Sequence, residues 1–151
     1  MKKTYKNYNK IYIMFSGLFQ TSYKKINFED IQYAIQKLNE YIIINTLSTS
    51  EQDCLIKNTL PFEQEEKTIN DLLNNYDLNI TKIIIYGKNA NDETAEKKYN
   101  QLRTLGFSEI YLYSGGLFEW MLLQDIYGWN EFPTTRKVLD ILKYKPIRKI
   151  Y

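Results

Sequence analysis

One thiol and no imidazole set the range of chemistry open to this 151-residue chain. Without histidine there is no imidazole base, no histidine zinc ligand and no Ser/His/Asp triad. Cys54 is the one sulfur nucleophile, and neither histidine nor arginine flanks it to lower its pKa. It reads as a thiol of low reactivity, or as a small side chain packed under a loop. A second group with chemical potential is the polar run Gly87, Lys88, Asn89, Ala90, Asn91, Asp92. Its Asn89, Asn91 and Asp92 either form a nest for a small anion or a partner's carboxylate, or cap the next helix. No cofactor or metal-binding pattern is read.

The elements that must position these groups follow from hydrophobic spacing. Asn27 precedes Glu29 and Asp30, the signature of a helix start, and Phe28, Ile31, Ile35 and Leu38 fall on one helical face. Tyr41-Ile42-Ile43-Ile44-Asn45 and Lys82-Ile83-Ile84-Ile85-Tyr86 are continuous apolar runs, as in strands covered on both faces. Between them, residues 62–76 predict a charged helix with Ile69, Leu72, Leu73 and Tyr76 inward. A helix over residues 93–105 buries Ala95, Tyr99, Leu102 and Leu105 and stops at Gly106. Ile110-Tyr111-Leu112-Tyr113 is a third strand, and residues 135–143 predict a last helix. Strands alternating with helices point to an α/β fold with a mainly parallel sheet, whose site lies at the carboxyl ends of the strands. The loops after Asn45, Tyr86 and Tyr113 are therefore the ones to inspect.

The same run of segments resembles the rhodanese family. It comprises Lys25-Ile26-Asn27-Phe28-Glu29-Asp30-Ile31, Ile42-Ile43-Ile44-Asn45, Leu55-Ile56-Lys57-Asn58-Thr59-Leu60, Ile83-Ile84-Ile85-Tyr86, Leu105-Gly106-Phe107-Ser108-Glu109-Ile110-Tyr111 and Gly115-Gly116-Leu117-Phe118-Glu119-Trp120. The resemblance implies a three-layer fold, a central sheet with helices on both faces, over residues 25–133. A basic extension carrying a strand, residues 1–24, precedes it, and a helix with a basic tail, residues 134–151, follows. Active relatives carry a cysteine directly after the central strand, which takes sulfur as a persulfide. The matching position here is Gly87, and glycine offers no nucleophile. Asp92 and Glu93 stand near positions where active relatives carry basic or hydroxyl residues, and two extra residues lengthen the stretch from Gly87 to Leu105.

Charge and composition shape the remaining expectations. Residues 1–25 hold six lysines and no acid, residues 136–151 hold six basic residues against Asp140, and the body between them is acidic. The ends, with Lys143, Lys145, Arg148 and Lys149 as the candidate tail contacts, suit nucleic acid, anionic lipid or an acidic protein face, or serve solubility alone. Residues 11–19 after the first lysines have signal-peptide length but no small-x-small cleavage pattern follows, so they read as a strand. Trp120, Met121, Leu123, Tyr127, Trp129 and Phe132 form an aromatic-rich stretch of the kind that dominates protein interfaces. No run approaches a membrane span, and a lone cysteine fits a reducing compartment, so a cytoplasmic setting is expected. Ile, Lys, Asn and Tyr supply 64 of 151 residues, the usage of an A/T-rich genome such as that of a protist, a bacterium or a large DNA virus. The expected function is a catalytically inactive rhodanese-like module that binds a protein partner or another copy or serves as a structural element, and in a large DNA virus a virion or assembly component. A sulfurtransferase or sulfur carrier using Cys54, and a nucleic-acid binder using the basic termini, are the alternatives.

Overall fold

Two isoleucine runs make the centre of the sheet. In the computed structural model, which describes residues 22–151, β1 (Lys25–Ile26), β2 (Tyr41–Asn45), β3 (Lys82–Tyr86) and β4 (Ile110–Tyr113) form one parallel sheet in the order β1-β4-β3-β2. Ile42, Ile43 and Ile44 stand opposite Ile83, Ile84 and Ile85, so β-branched side chains face each other on both sides of the sheet. Helices α1 (Phe28–Ile35), α2 (Phe62–Asn74), α3 (Thr94–Thr104) and α4 (Gly116–Tyr127) cover it. α1 and α4 pack on one face with Ile43, Ile84 and Tyr86, while α2 and α3 pack on the other with Ile44, Ile83 and Ile85. This is the three-layer arrangement that the alternating strands and helices predict.

Local chemistry sets the ends of these elements. Asn27 accepts hydrogen bonds from the amides of Glu29 and Asp30, and Asp30 accepts one from the Asn27 amide, a reciprocal capping box. Gly106 sits at φ +105° after α3, the left-handed conformation that ends the helix. Three expected inward residues are corrected. Leu38 lies beyond the end of α1 and is exposed, Tyr76 follows α2 at φ +58° and is 87% exposed, and Leu105 is half-exposed at the end of α3. Each continues the apolar spacing of a helix that has already stopped.

The predicted helix over residues 135–143 is also corrected. Residues 134–140 are irregular, and only Ile141–Tyr144 make a 3-10 turn. Thr134 bridges to Ile56, the Thr135 amide donates to the Leu55 carbonyl, and the carbonyls of Arg136 and Tyr144 accept bonds from Cys54 and Asn89. A helix would claim backbone groups that tertiary partners hold here. The strand expected at residues 11–19 lies outside the described residues.

Candidate functional site

The carboxyl ends of β2 and β3 open into two adjacent loops, and each holds one of the chemically distinctive groups. Tyr86, the last residue of β3, is fully buried and ties the two loops together. Its hydroxyl accepts from the Ile56 amide at 3.1 Å and lies 2.8 Å from the Thr59 hydroxyl, which itself donates to the Ile56 carbonyl. Burial pushes the Tyr86 phenol well above its ordinary value, so it stays neutral and structural.

After Tyr86 the chain turns sharply at Gly87, under the start of α4. The Leu117 amide donates to the Gly87 carbonyl and the Phe118 amide to the Lys88 carbonyl. That approach needs Gly116, at φ +67°, because a Cβ there would lie 2.7 Å from the Gly87 carbonyl oxygen and 2.9 Å from the Asn89 nitrogen. On the other side of Gly87 lies the Asp92 carboxylate. A Cβ on Gly87 would stand 2.6 Å from Asp92 Oδ2, the same oxygen that accepts the Lys88 amide at 2.8 Å. Asp92 Oδ1 accepts from the Thr94 amide and hydroxyl, so the acid also caps α3. Burial pushes the Asp92 carboxyl up, but these hydrogen bonds together outweigh it and hold it below the ordinary carboxylate value.

The Asn89 and Lys88 side chains are likewise committed, while Asn91 is exposed. Asn89 Oδ1 accepts the Asn91 amide, and its Nδ2 donates to the Tyr144 carbonyl of the C-terminal segment. Lys88 Nζ pairs with Glu51 at 2.5 Å, and that ammonium lowers the Glu51 pKa. Ala90 is exposed at the tip. The nest reading of Asn89, Asn91 and Asp92 is thereby changed in its occupant: the anion against the Lys88 amide is the chain's own carboxylate.

Cys54 sits in the neighbouring loop and is fully buried. Its thiol donates to the Arg136 carbonyl at 3.1 Å, and burial pushes its pKa up, away from the thiolate. The C-terminal segment closes over it. Thr134 and Thr135 pair with Leu55 and Ile56, Lys143 pairs with Asp53 at 3.1 Å, and Tyr144 is buried in the core. Among the described residues no group of three or more Cys, Asp or Glu side chains is placed to hold a metal ion, and no helix is long and apolar enough to cross a membrane.

Comparison with known proteins decides the family. The Rhodanese-like domain model matches residues 29–123. The chain belongs to the rhodanese-like domain family. Solved structures share its fold. A full-length protein from Lactobacillus plantarum is 18% identical with a TM-score of 0.56, covering 87% of this chain and 99% of that one. The BH2092 protein of Bacillus halodurans is 22% identical with a TM-score of 0.53, covering 76% and 80%. A single-domain sulfurtransferase of Saccharomyces cerevisiae is 12% identical with a TM-score of 0.52, covering 72% and 96%. No curated protein matches.

In this rhodanese-like domain the expected interface stretch divides. Trp120, Met121 and Phe132 are buried in its own core, with Trp120 Nε1 donating to the Pro133 carbonyl at 3.1 Å. Leu123 is half-buried against that core, Tyr127 is exposed, and Trp129 is half-buried under Lys137. The apolar character on every side of α4 thus serves the core on one side and leaves Ile126 and Tyr127 outward. Of the basic tail, Lys143 is committed to Asp53, while Lys145, Arg148 and Lys149 are exposed. Sequence reasoning missed the seat taken by Asp92. The available signal was its place two residues before Thr94, at the start of a helix.

Proposed function

We propose that this rhodanese-like domain is catalytically inactive and serves as a protein-binding or structural module. The observation that carries the reading is the Asp92 carboxylate, which lies where a side chain on Gly87 would project and accepts the Lys88 amide. A sulfur-carrying thiolate at that position needs both the space and the amide, and a fixed negative charge opposes an incoming thiosulfate. Cys54 does not substitute for it, being buried with its proton held by the Arg136 carbonyl. The A/T-rich residue usage also suits an origin in a large DNA virus, where such a module would serve as a virion or assembly component.

Thiosulfate and cyanide, followed by thiocyanate formation, test the reading. Wild type and Cys54→Ser are both expected at the level of buffer. Turnover by wild type that Cys54→Ser abolishes overturns it in favour of a sulfurtransferase or carrier. The nucleic-acid reading draws on exposed Lys145, Arg148 and Lys149, and requires steeply salt-dependent binding that disappears when both termini are removed.

A further inference from the structure

α2 and α3 leave a trough between them on the face of the sheet opposite α1 and α4. Its volume is about 440 Å³. Ile69 and Leu102 are its buried floor, and Phe62 and Leu105 flank it with 54% and 49% of their surfaces exposed. Its acids are Glu63, Glu65 and Glu66. Glu65 pairs with Lys98, while Glu63 and Glu66 are exposed and have no ion pair among the described residues. The trough therefore offers apolar contacts beside net negative charge.

The chain itself carries the complement. Ile147 and Ile150 are each 84% exposed and Tyr151 is 99% exposed, with Arg148 and Lys149 between them exposed as well. Arg148 and Lys149 have no ion pair among the described residues. Five extended residues span about 16 Å, and α3 with its cap, from Thr94 to Leu105, rises by about the same length. In its own chain this segment lies elsewhere: Ile147 and Lys149 line the cleft beside Thr94 and Lys88, and neither lines the trough.

We propose that the trough between α2 and α3 receives residues 147–151 of a second copy of this chain. This names a partner for the module reading and rests on it. Glu63 and Glu66 face Arg148 and Lys149, and Phe62 and Leu105 receive Ile150 and Tyr151. The contact joins two different patches of the chain, so it gives a two-fold dimer where two copies exchange tails reciprocally, and otherwise a ring or an open chain. A segment of this length buries less than a standard interface, so association is weak and depends on concentration and salt.

Sedimentation velocity on the full chain, from tens of micromolar to about one millimolar, tests it. Wild type is expected to associate as concentration rises, several-fold less at about 500 mM than at about 50 mM salt. Glu63→Lys/Glu66→Lys and Arg148→Glu/Lys149→Glu are each expected to stay monomeric. Their equimolar mixture is expected to associate again, since each trough then meets a tail of opposite charge, and this rescue shows both variants folded. A monomeric wild type throughout the range overturns the proposal, as does a mixture that stays monomeric. So does association that survives both swaps, or that is lost only on removing residues 1–21. Persulfide on Cys54 would instead overturn the module reading while leaving the sedimentation result unchanged, so the two failures are distinguishable.

Discussion

The loops after β2 and β3 lie side by side and divide between them what a sulfurtransferase needs in one place. The loop after β3 has a backbone amide aimed at an anion, but Gly87 brings no nucleophile and Asp92 already occupies the amide. The loop after β2 has the thiol, but Cys54 is buried, with its proton on the Arg136 carbonyl and the C-terminal segment across it. Neither loop holds both groups. The separation teaches that a rhodanese-like scaffold can keep its sheet, its Gly116 approach and its loop anchoring while the anion-facing amide and the thiol stand in different loops.

The largest way to disturb this contrast is through Trp120, which packs on Tyr113 and Phe132 and holds the Pro133 carbonyl beside the Cys54 loop. Trp120→Ala is expected to lower the unfolding free energy by about 3–5 kcal/mol. Denaturant titration measures that loss, and alkylation of Cys54 should quicken as the covering segment loosens. Protection of Cys54 unchanged from wild type would contradict the role given to that segment.

Restoring a thiol to the other loop tests the Asp92 seat. Gly87→Cys places a Cβ 2.6 Å from Asp92 Oδ2, and the crowding is expected to cost about 1–3 kcal/mol. Adding Asp92→Ser should recover part of that loss and give a thiol that reacts faster with a disulfide reagent than in the single variant. Equal stability and reactivity in both proteins would mean that Asp92 does not occupy the position.

A smaller effect comes from the charge on Asp92 itself. A carboxyl held below its unfolded value stabilises the fold above that value, near pH 4, and the contribution is lost as pH falls through the folded value. Asp92→Asn is therefore expected to be less stable than wild type by about 1 kcal/mol at neutral pH. The gap should narrow as pH falls below the ordinary carboxylate value and through the lower folded one, as unfolding curves across the acid range would reveal. A gap independent of pH would point to shape rather than charge.

The sheet was legible because Ile42–Ile44 and Ile83–Ile85 are too short and too continuous for exposed helices, and Asn27 and Gly106 mark helix ends with their own side-chain and backbone chemistry. Leu38, Tyr76 and Leu105 misled because apolar spacing persists past the point where the backbone turns away. Residues 135–143 misled for a different reason: Thr135 pairs with Leu55, and the Cys54 thiol holds the Arg136 carbonyl that a helix would use. In the candidate site, Gly87 was visible from its place after the strand. The position of the Asp92 carboxylate was not, because it depends on how far the loop folds back toward Gly87 before α3 begins.

Intact-protein mass measurement after incubation with excess thiosulfate, without reductant, tests the central claim most directly. An unchanged mass is the predicted result, since Gly87 has no thiol and Cys54 is enclosed. A mass increased by one sulfur atom, mapped to Cys54 and removed by cyanide, would contradict the account and make this loop a sulfur carrier.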